Sequence, residues 1–283
     1  MKIQIIDYKD SQASKNVVQS FKDTGFAVLT NHGIPFELFK KVKENWQQFF
    51  ADNNKLQYMY DKNAIPQAGY FPTERAKGES TNDLKEFFHV YKDHILPDII
   101  NNSTWQLRES LLNIGIDLLR GIDKYTPEII KKNFSESLNS MVDKKYYSLF
   151  RVIHYQAQNN LNNRNAIRAA AHADINLITI LPASDEPGLQ ALDHNNIWHE
   201  IPCNPGMLVI NSGDMLQMLS QNYYKSTIHR VRNPKNNHVN KARFSFPMFI
   251  HAKSNAIIDP KRNYTANDYL NERLREMGLR NNS

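Results

Sequence analysis

The residue pattern predicts a mainly β protein with flanking helices. Three observations carry this expectation. Between residues 146 and 252, short apolar runs follow one another with turn signals between them. The first 145 residues hold longer stretches of helical period around two short strand-like runs. Residues 253–283 revert to a helical pattern.

At the N-terminus, Ile3 and Ile5 alternate as in a short strand, and Val17, Val18 and Phe21 mark a helix. Phe26, Val28 and Leu29 form a β-like run that ends in the turn Asn31-His32-Gly33. Phe36, Phe39, Val42, Trp46, Phe49 and Phe50 recur at helical spacing, so these aromatics are expected to pack in the core. Residues 61–80 lack a period and contain Pro66, Gly69, Pro72 and Gly78, which reads as loop. A helix of about five turns starts near Thr104 and carries Leu107, Leu111, Leu112, Ile114, Leu118 and Leu119. Thr126 followed by Pro127 resembles the start of another helix, an N-cap hydroxyl and then a first-turn proline.

The β-rich segment consists of Tyr147–Tyr155, Ile175–Leu181, Gly188–Leu192, Ile197–Ile201, Met207–Ile210, Ser226–Val231 and Arg243–Ile250. Turn signals such as Asp185-Glu186-Pro187-Gly188 and Asn204-Pro205-Gly206 separate them. Most gaps are too short for crossover helices, so an antiparallel sandwich or barrel is expected. In the tail, Thr265 and Asp268 form a capping box, Tyr269, Leu270 and Leu274 form a stripe, and Gly278 is the stop. The expected organisation is an N-terminal α/β region (1–145), a β domain (146–252) and a helical tail (253–283).

Composition narrows the function. The 283 residues are 41% hydrophobic and 23% charged, as in an ordinary globular protein. No apolar run approaches the roughly 20 residues of a membrane helix, and MKIQIIDYKD has no secretory character. A single cysteine, Cys203, precludes an internal disulfide and suits a cytoplasmic protein. The net charge of +6 is densest from Lys225 through Arg230, Arg232, Lys235 and Lys241 to Arg243. That stretch reads as a solvated loop around Pro234. It lacks the interleaved aromatics of a nucleic-acid platform, so neither nucleic acid nor membrane is an expected partner.

The chemical signal begins at His172-Ala173-Asp174. In extended chain, residues two apart face the same side, so an imidazole and a carboxylate can share one metal ion. His229 follows in a later strand-like run. Two histidines and one carboxylate occupy one face of an octahedron and leave positions open, which suits Fe(II). Arg243 and Ser245 share one side of a further run, where an arginine fork matches a carboxylate. Each piece alone has a bland explanation, a surface polar pair or an edge-strand ion pair. Together, in one β-rich segment, they are far more specific.

With these motifs the chain resembles the isopenicillin N synthase-like branch of the Fe(II)/2-oxoglutarate-dependent oxygenases, in its compact bacterial form. The likeness runs through Gly25–Pro35, His172–Leu181, Pro205–Asp214, Ser226–Val231 and Arg243–Pro247. It implies a double-stranded β-helix, the jelly-roll or cupin-like core. It further implies iron on His172, Asp174 and His229, and 2-oxoglutarate on Arg243 and Ser245. The family's Asn-x-Tyr corresponds to Ile153-His154-Tyr155, so Tyr155 fits the cosubstrate side and Ile153 departs from it. The implied reaction is oxidation, by default hydroxylation, of a small molecule's C–H bond by O₂, releasing succinate and CO₂, with ascorbate as an optional reductant. Family position marks Tyr70, Phe71, Lys85, Phe87, His89, Tyr91, Asn176 and Phe249 as pocket-wall candidates, a mix that suggests a polar or anionic substrate. His32, His154, His194, His199, His238 and His251 are expected to be structural or exposed. Two other readings stay open at this point. One is an oxidase of the same fold that does without 2-oxoglutarate. The other is a non-catalytic metal- or ligand-sensing module.

Overall fold

Alternation along the strands decides which residues reach the site. In the computed structural model the described residues are 1–72, 85–143, 148–157, 168–232 and 242–276. Expectations that rested on Gly78, Tyr147, Pro234, Lys235, His238, Lys241 and Gly278 fall outside them. The first elements are β1 (Gln4–Asp7), α1 (Ala13–Thr24), β2 (Phe26–Thr30), α2 (Phe36–Ala51), β3 (Gly69–Phe71) and β4 (Lys85–Val90). Next come α3 (Ser103–Tyr125), α4 (Glu128–Lys131), α5 (Leu138–Met141), β5 (Leu149–Tyr155), β6 (Ala169–His172), β7 (Ile178–Pro182), β8 (Leu189–Leu192) and β9 (Trp198–Glu200). The chain continues with β10 (Leu208–Ser212), α6 (Asp214–Leu219), β11 (His229–Val231), β12 (Arg243–Ser245) and β13 (Met248–Ile250). It closes with β14 (Ile257–Asp259), β15 (Tyr264–Thr265) and α7 (Ala266–Glu276).

A nine-stranded sheet runs β1-β2-β10-β7-β13-β5-β4-β3, with β12 also paired to β5. Among the described strands, only the β1–β2 pair is parallel in it. A second sheet, β6-β11-β8-β9, is antiparallel throughout. Odd and even residues of the large sheet serve two different cores. Ala27, Leu29, Phe88, Phe150, Val152, Ile180, Ile210, Met248 and Ile250 join the helices α1, α2 and α3 in the main apolar cluster. Phe26, Val28, Phe87, Ile153, Tyr155 and Val209 point the other way, against Ala169, Leu189, Ala191 and Val231 of the small sheet. Two facing sheets with helices outside one of them are the double-stranded β-helix arrangement.

The helices follow their apolar stripes. Phe39, Val42, Trp46, Phe49 and Phe50 of α2 are buried, whereas Phe36 at its start is exposed. Trp46 Nε1 donates to Thr104 Oγ1 at 3.0 Å, which ties α2 to α3. α3 spans 23 residues, longer than the expected five turns. Gly115 lets it approach the sheet, because a Cβ there would lie 1.9 Å from Ile250 Cδ1. The capping box at the tail forms, with Thr265 N donating to Asp268 and Asp268 N donating back to Thr265 Oγ1.

Four local expectations are corrected. Residues 61–80 are not all loop, since Gly69–Phe71 is a strand on β4. Thr126 does not cap α4. Its hydroxyl donates to the Ile122 carbonyl of α3 and contacts the Tyr224 hydroxyl, while Pro127 occupies the cap position. Arg243–Ile250 is two strands, because Pro247 has no N–H to continue a ladder. The helix α6, between the expected strands at 207–210 and 226–231, was not anticipated.

Candidate active site

β6 and β11 bring the candidate ligands together. His229 opens β11 directly opposite His172 at the end of β6, and their ring centres are 4.4 Å apart. Asp174 lies just beyond β6. Its Oδ1 is 3.7 Å from His172 Nε2 and 3.8 Å from His229 Nε2. One donor atom from each of the three lies within 4.8 Å of the others, the only such His/Cys/Asp/Glu group among the described residues.

The surroundings aim these atoms. His172 Nδ1 donates to the Ala170 carbonyl at 2.8 Å, and His229 Nδ1 donates to the Thr227 carbonyl at 3.1 Å. Each bond selects the tautomer that leaves Nε2 with its lone pair. Asp174 Oδ2 accepts from Thr179 Oγ1 at 2.5 Å and from Asn211 Nδ2 at 2.8 Å, so Oδ1 faces the imidazoles. Asn176 Nδ2 in turn donates to Thr179 Oγ1 at 2.8 Å. Burial would raise the Asp174 carboxyl, but His229, His172 and the bonds from Asn211 and Thr179 outweigh it and lower its pKa. Desolvation and the adjacent His229 push the His172 imidazole down to about 4, which keeps it neutral near pH 7.

Further along the same interior face, Arg243 pairs in register with Tyr155, and Ser245 with Ile153. Arg243 is 4% exposed, and its Nη1 donates to the carbonyls of Glu186 and Pro187 at 2.9 and 2.8 Å. Its Nε is buried without a hydrogen-bond partner. Burial lowers the Arg243 pKa, yet an arginine stays charged, so a desolvated cation with an unsatisfied donor awaits an anion. Tyr155 is buried and lies close enough to both Arg243 and the buried Arg168 to feel their charges. Two imidazoles and one carboxylate with supported orientation match a 2-His-1-carboxylate iron site. The orphaned Arg243 donor matches the distal carboxylate of 2-oxoglutarate.

The wall candidates divide by strand parity. Phe71, Lys85, Phe87 and His89 share the interior face, where Phe71 stacks on Phe87 at 4.8 Å and contacts His89. Tyr91 meets His89 edge-on beyond the end of β4, and Phe249 enters from β13. Tyr70 does not line this space. It packs with Phe49 and Phe50 on the helix side, and its hydroxyl donates to Glu86 at 2.5 Å. Neighbours in a strand cannot share a face, so Tyr70 and Phe71 could not both be walls. Asn176 is fully buried beneath Asp174 as part of its support, not a wall. Among the other histidines, His154 stacks on Phe244 and bonds Glu86, His32 bonds the Gly206 carbonyl, and His199 is half-buried against Asp193. His194 is exposed, whereas His251 is buried. Thr179 and Asn211, which hold Asp174, were not among the sequence candidates, and neither was Arg151, which the structure places on the interior face. Arg151 shares the parity of Ile153 and Tyr155, so the alternation of β5 was the available signal.

Comparison with known proteins agrees with this geometry. Residues 146–252 match the 2OG-Fe(II) oxygenase superfamily model. Residues 3–108 match the model described as non-haem dioxygenase in morphine synthesis N-terminal. A crystal structure of a Caulobacter crescentus protein assigned to the 2OG-Fe(II) oxygenase family is 30% identical, with a TM-score of 0.79 and coverage of 97% of this chain and 99% of that one. One from Shewanella oneidensis, classed as an oxygenase, is 38% identical, with a TM-score of 0.89 and coverage of 99% and 100%. A bifunctional coumaroyl CoA and feruloyl CoA ortho-hydroxylase of Ipomoea batatas is 27% identical over 91% of this chain and 72% of its own length. The fold and the candidate site define a non-haem iron oxygenase. The chain belongs to the 2OG-Fe(II) oxygenase superfamily, whose cofactors are Fe(II), 2-oxoglutarate and O₂. Among the described residues, no helix is long and apolar enough to cross a membrane.

Proposed function

We propose that His172, Asp174 and His229 hold Fe(II), that Arg243, Ser245 and Tyr155 hold 2-oxoglutarate, and that the enzyme hydroxylates a small polar or anionic molecule. The observation that carries this reading is the division of labour on Asp174. Thr179 and Asn211 occupy Oδ2, so Oδ1 is turned toward two imidazole Nε2 atoms that are themselves freed by backbone carbonyls.

Iron with 2-oxoglutarate supplies the oxidising power from O₂, with succinate and CO₂ as products. The protein's own part is placement. Arg243 offers a fixed positive charge on the interior face, with Tyr155 beside it and Ser245 two residues on. Phe71, Phe87 and Phe249 keep water from the space where a C–H bond would be presented. Lys85, near enough to His172 for their charges to interact, and His89 support a polar or anionic substrate. The single half-buried Cys203 suits a cytoplasmic setting.

The test is an anaerobic titration of the Fe(II) protein with 2-oxoglutarate, following the visible metal-to-ligand charge-transfer band. Asp174→Ala is expected to abolish the band by losing iron. Arg243→Met should require at least about tenfold more 2-oxoglutarate with iron retained. Wild-type behaviour of both variants, or no succinate under any turnover condition, overturns the reading.

A further inference from the structure

Arg151 has no role in the reading so far. It lies on β5 with the parity of Ile153 and Tyr155, so its side chain enters the interior face. Its guanidinium carbon is 4.7 Å from the centre of the Phe87 ring and 5.4 Å from that of Phe249. The stack continues outward, Phe87 to Phe71 at 4.8 Å and Phe71 to Tyr60 at 3.8 Å, with interplanar angles of 13° and 9°. The guanidinium therefore sits between the Phe87 end of this aromatic column and Phe249.

The hydrogen bonds of Arg151 fix its orientation. Its Nε donates to His89 Nε2 at 2.9 Å, and His89 Nδ1 donates to the Gln67 carbonyl at 3.0 Å. One ring nitrogen accepts and the other donates, so His89 is neutral and is no counter-ion. Among the described residues, no carboxylate pairs with Arg151 and no group accepts from its Nη1 or Nη2. A half-buried arginine held by its faces and its Nε presents an unclaimed fork of amino groups. That geometry is preorganised for a bidentate planar anion.

The fork is not placed for the cosubstrate. Four residues of strand separate Arg151 from Tyr155, the partner of Arg243, which is about 13 Å of extended chain. The two guanidiniums are also held by different partners, Arg243 by the Glu186 and Pro187 carbonyls and Arg151 by His89, Phe87 and Phe249. The other side of Arg151 leads to the candidate ligands. Phe249 pairs in register with Thr179, the residue that bonds Asp174. His251, two residues beyond Phe249, is buried and close enough to both Asp174 and Arg151 to feel their charges. At the fork itself one planar cation stands beside a neutral histidine, with Lys85 four residues away along β4 from His89, and that flat two-pronged donor matches a carboxylate better than a tetrahedral phosphate dianion.

We propose that Arg151, braced by His89 between Phe87 and Phe249, anchors the carboxylate of a small organic monocarboxylic acid that is the substrate. This rests on His172, Asp174 and His229 being the oxidising centre, because it is the distance from Arg151 to that centre that selects the C–H bond presented.

The test uses anaerobic Fe(II) protein with saturating 2-oxoglutarate. Thermal shift and then calorimetry compare small aliphatic and aromatic monocarboxylic acids, each alongside its methyl ester and primary amide. At least one acid is expected to bind while its neutral partners do not. Arg151→Met should weaken that acid roughly tenfold to a hundredfold, and Arg151→Lys, which keeps the charge without the fork, should recover part of the loss. Both variants should keep the wild-type 2-oxoglutarate titration of the charge-transfer band. Acids that bind no better than their esters overturn the proposal, as does unchanged acid binding by Arg151→Met. A matching loss of 2-oxoglutarate affinity also overturns it, by assigning Arg151 to the cosubstrate. A wild-type protein without the charge-transfer band sinks the iron reading instead, and the acid-against-ester comparison still reports on Arg151 by itself.

Discussion

Thr179→Val changes one hydroxyl to a methyl at nearly constant volume and tests how Asp174 is aimed. The Thr179 hydroxyl donates to Asp174 Oδ2 at 2.5 Å and accepts from Asn176 Nδ2 at 2.8 Å. Valine removes one of the two bonds that hold Oδ2 and strands a fully buried amide donor. A charge-assisted bond and a stranded donor together should destabilise the metal-free protein by about 2–4 kcal/mol, readable by urea denaturation. With only Asn211 left, the carboxylate can rotate about its terminal torsion, and Oδ1 loses its set direction. Loss of such an outer bond typically costs roughly 10–100-fold in metal affinity, or about 1.4–2.8 kcal/mol. Anaerobic competition for Fe(II) against a chromogenic chelator measures this, and Thr179→Ser should stay near wild type. If Thr179→Val binds Fe(II) within about threefold of wild type, the hydroxyl does not orient the ligand and the argument fails.

Three further outcomes are expected. Gly213→Ala would place a Cβ 2.3 Å from both the backbone oxygen and the Oδ1 of Asn176. The segment under Asp174 must then shift, and chelator competition should show a loss of Fe(II) affinity of about tenfold or more. Glu86 is 2% exposed and accepts from Tyr70, Lys55 and His154 at 2.5, 2.9 and 2.8 Å. Burial raises its pKa, but these three bonds outweigh it and bring it down to about 2. Glu86→Gln takes the carboxylate from the half-buried Lys55, which keeps its bond to the Phe50 carbonyl, and should cost about 1.5–3 kcal/mol in urea denaturation at pH 7, and a loss below about 1 kcal/mol would show the cluster to be dispensable. Burial pushes the His251 imidazole down from 6.5 to about 4. The unfolded chain therefore protonates first, and stability falls as pH drops from about 6.5 to 4, by about 3 kcal/mol in total. Denaturation of the metal-free protein across that window should show this contribution on top of the one from His172, whose imidazole is likewise held at about 4, and His251→Asn should remove about half of the combined slope. An equal slope in the variant would assign the acid sensitivity elsewhere.

Period and parity let the sequence determine more than the element types. The His172-x-Asp174 spacing, the later His229, and the pairing of Arg243 with Ser245 were all readable, because local geometry places residues two apart on one side. So was the common face of Lys85, Phe87 and His89. The same rule, applied to β3, would have separated Tyr70 from Phe71. What the tertiary structure alone decided is which face looks inward and what lies across from it. Asn211 on β10 is remote in sequence from Asp174, and its register with Thr179 on β7, five residues after Asp174, sets amide and hydroxyl together against the carboxylate. Asn176 falls beneath the site because the chain turns after β6 before β7 begins. Arg151 acquired its place only when β4 and β13 closed on β5 and supplied His89, Phe87 and Phe249. Local periodicity is a property of the chain. Partners across strands depend on non-local pairing, which no spacing within a single run encodes.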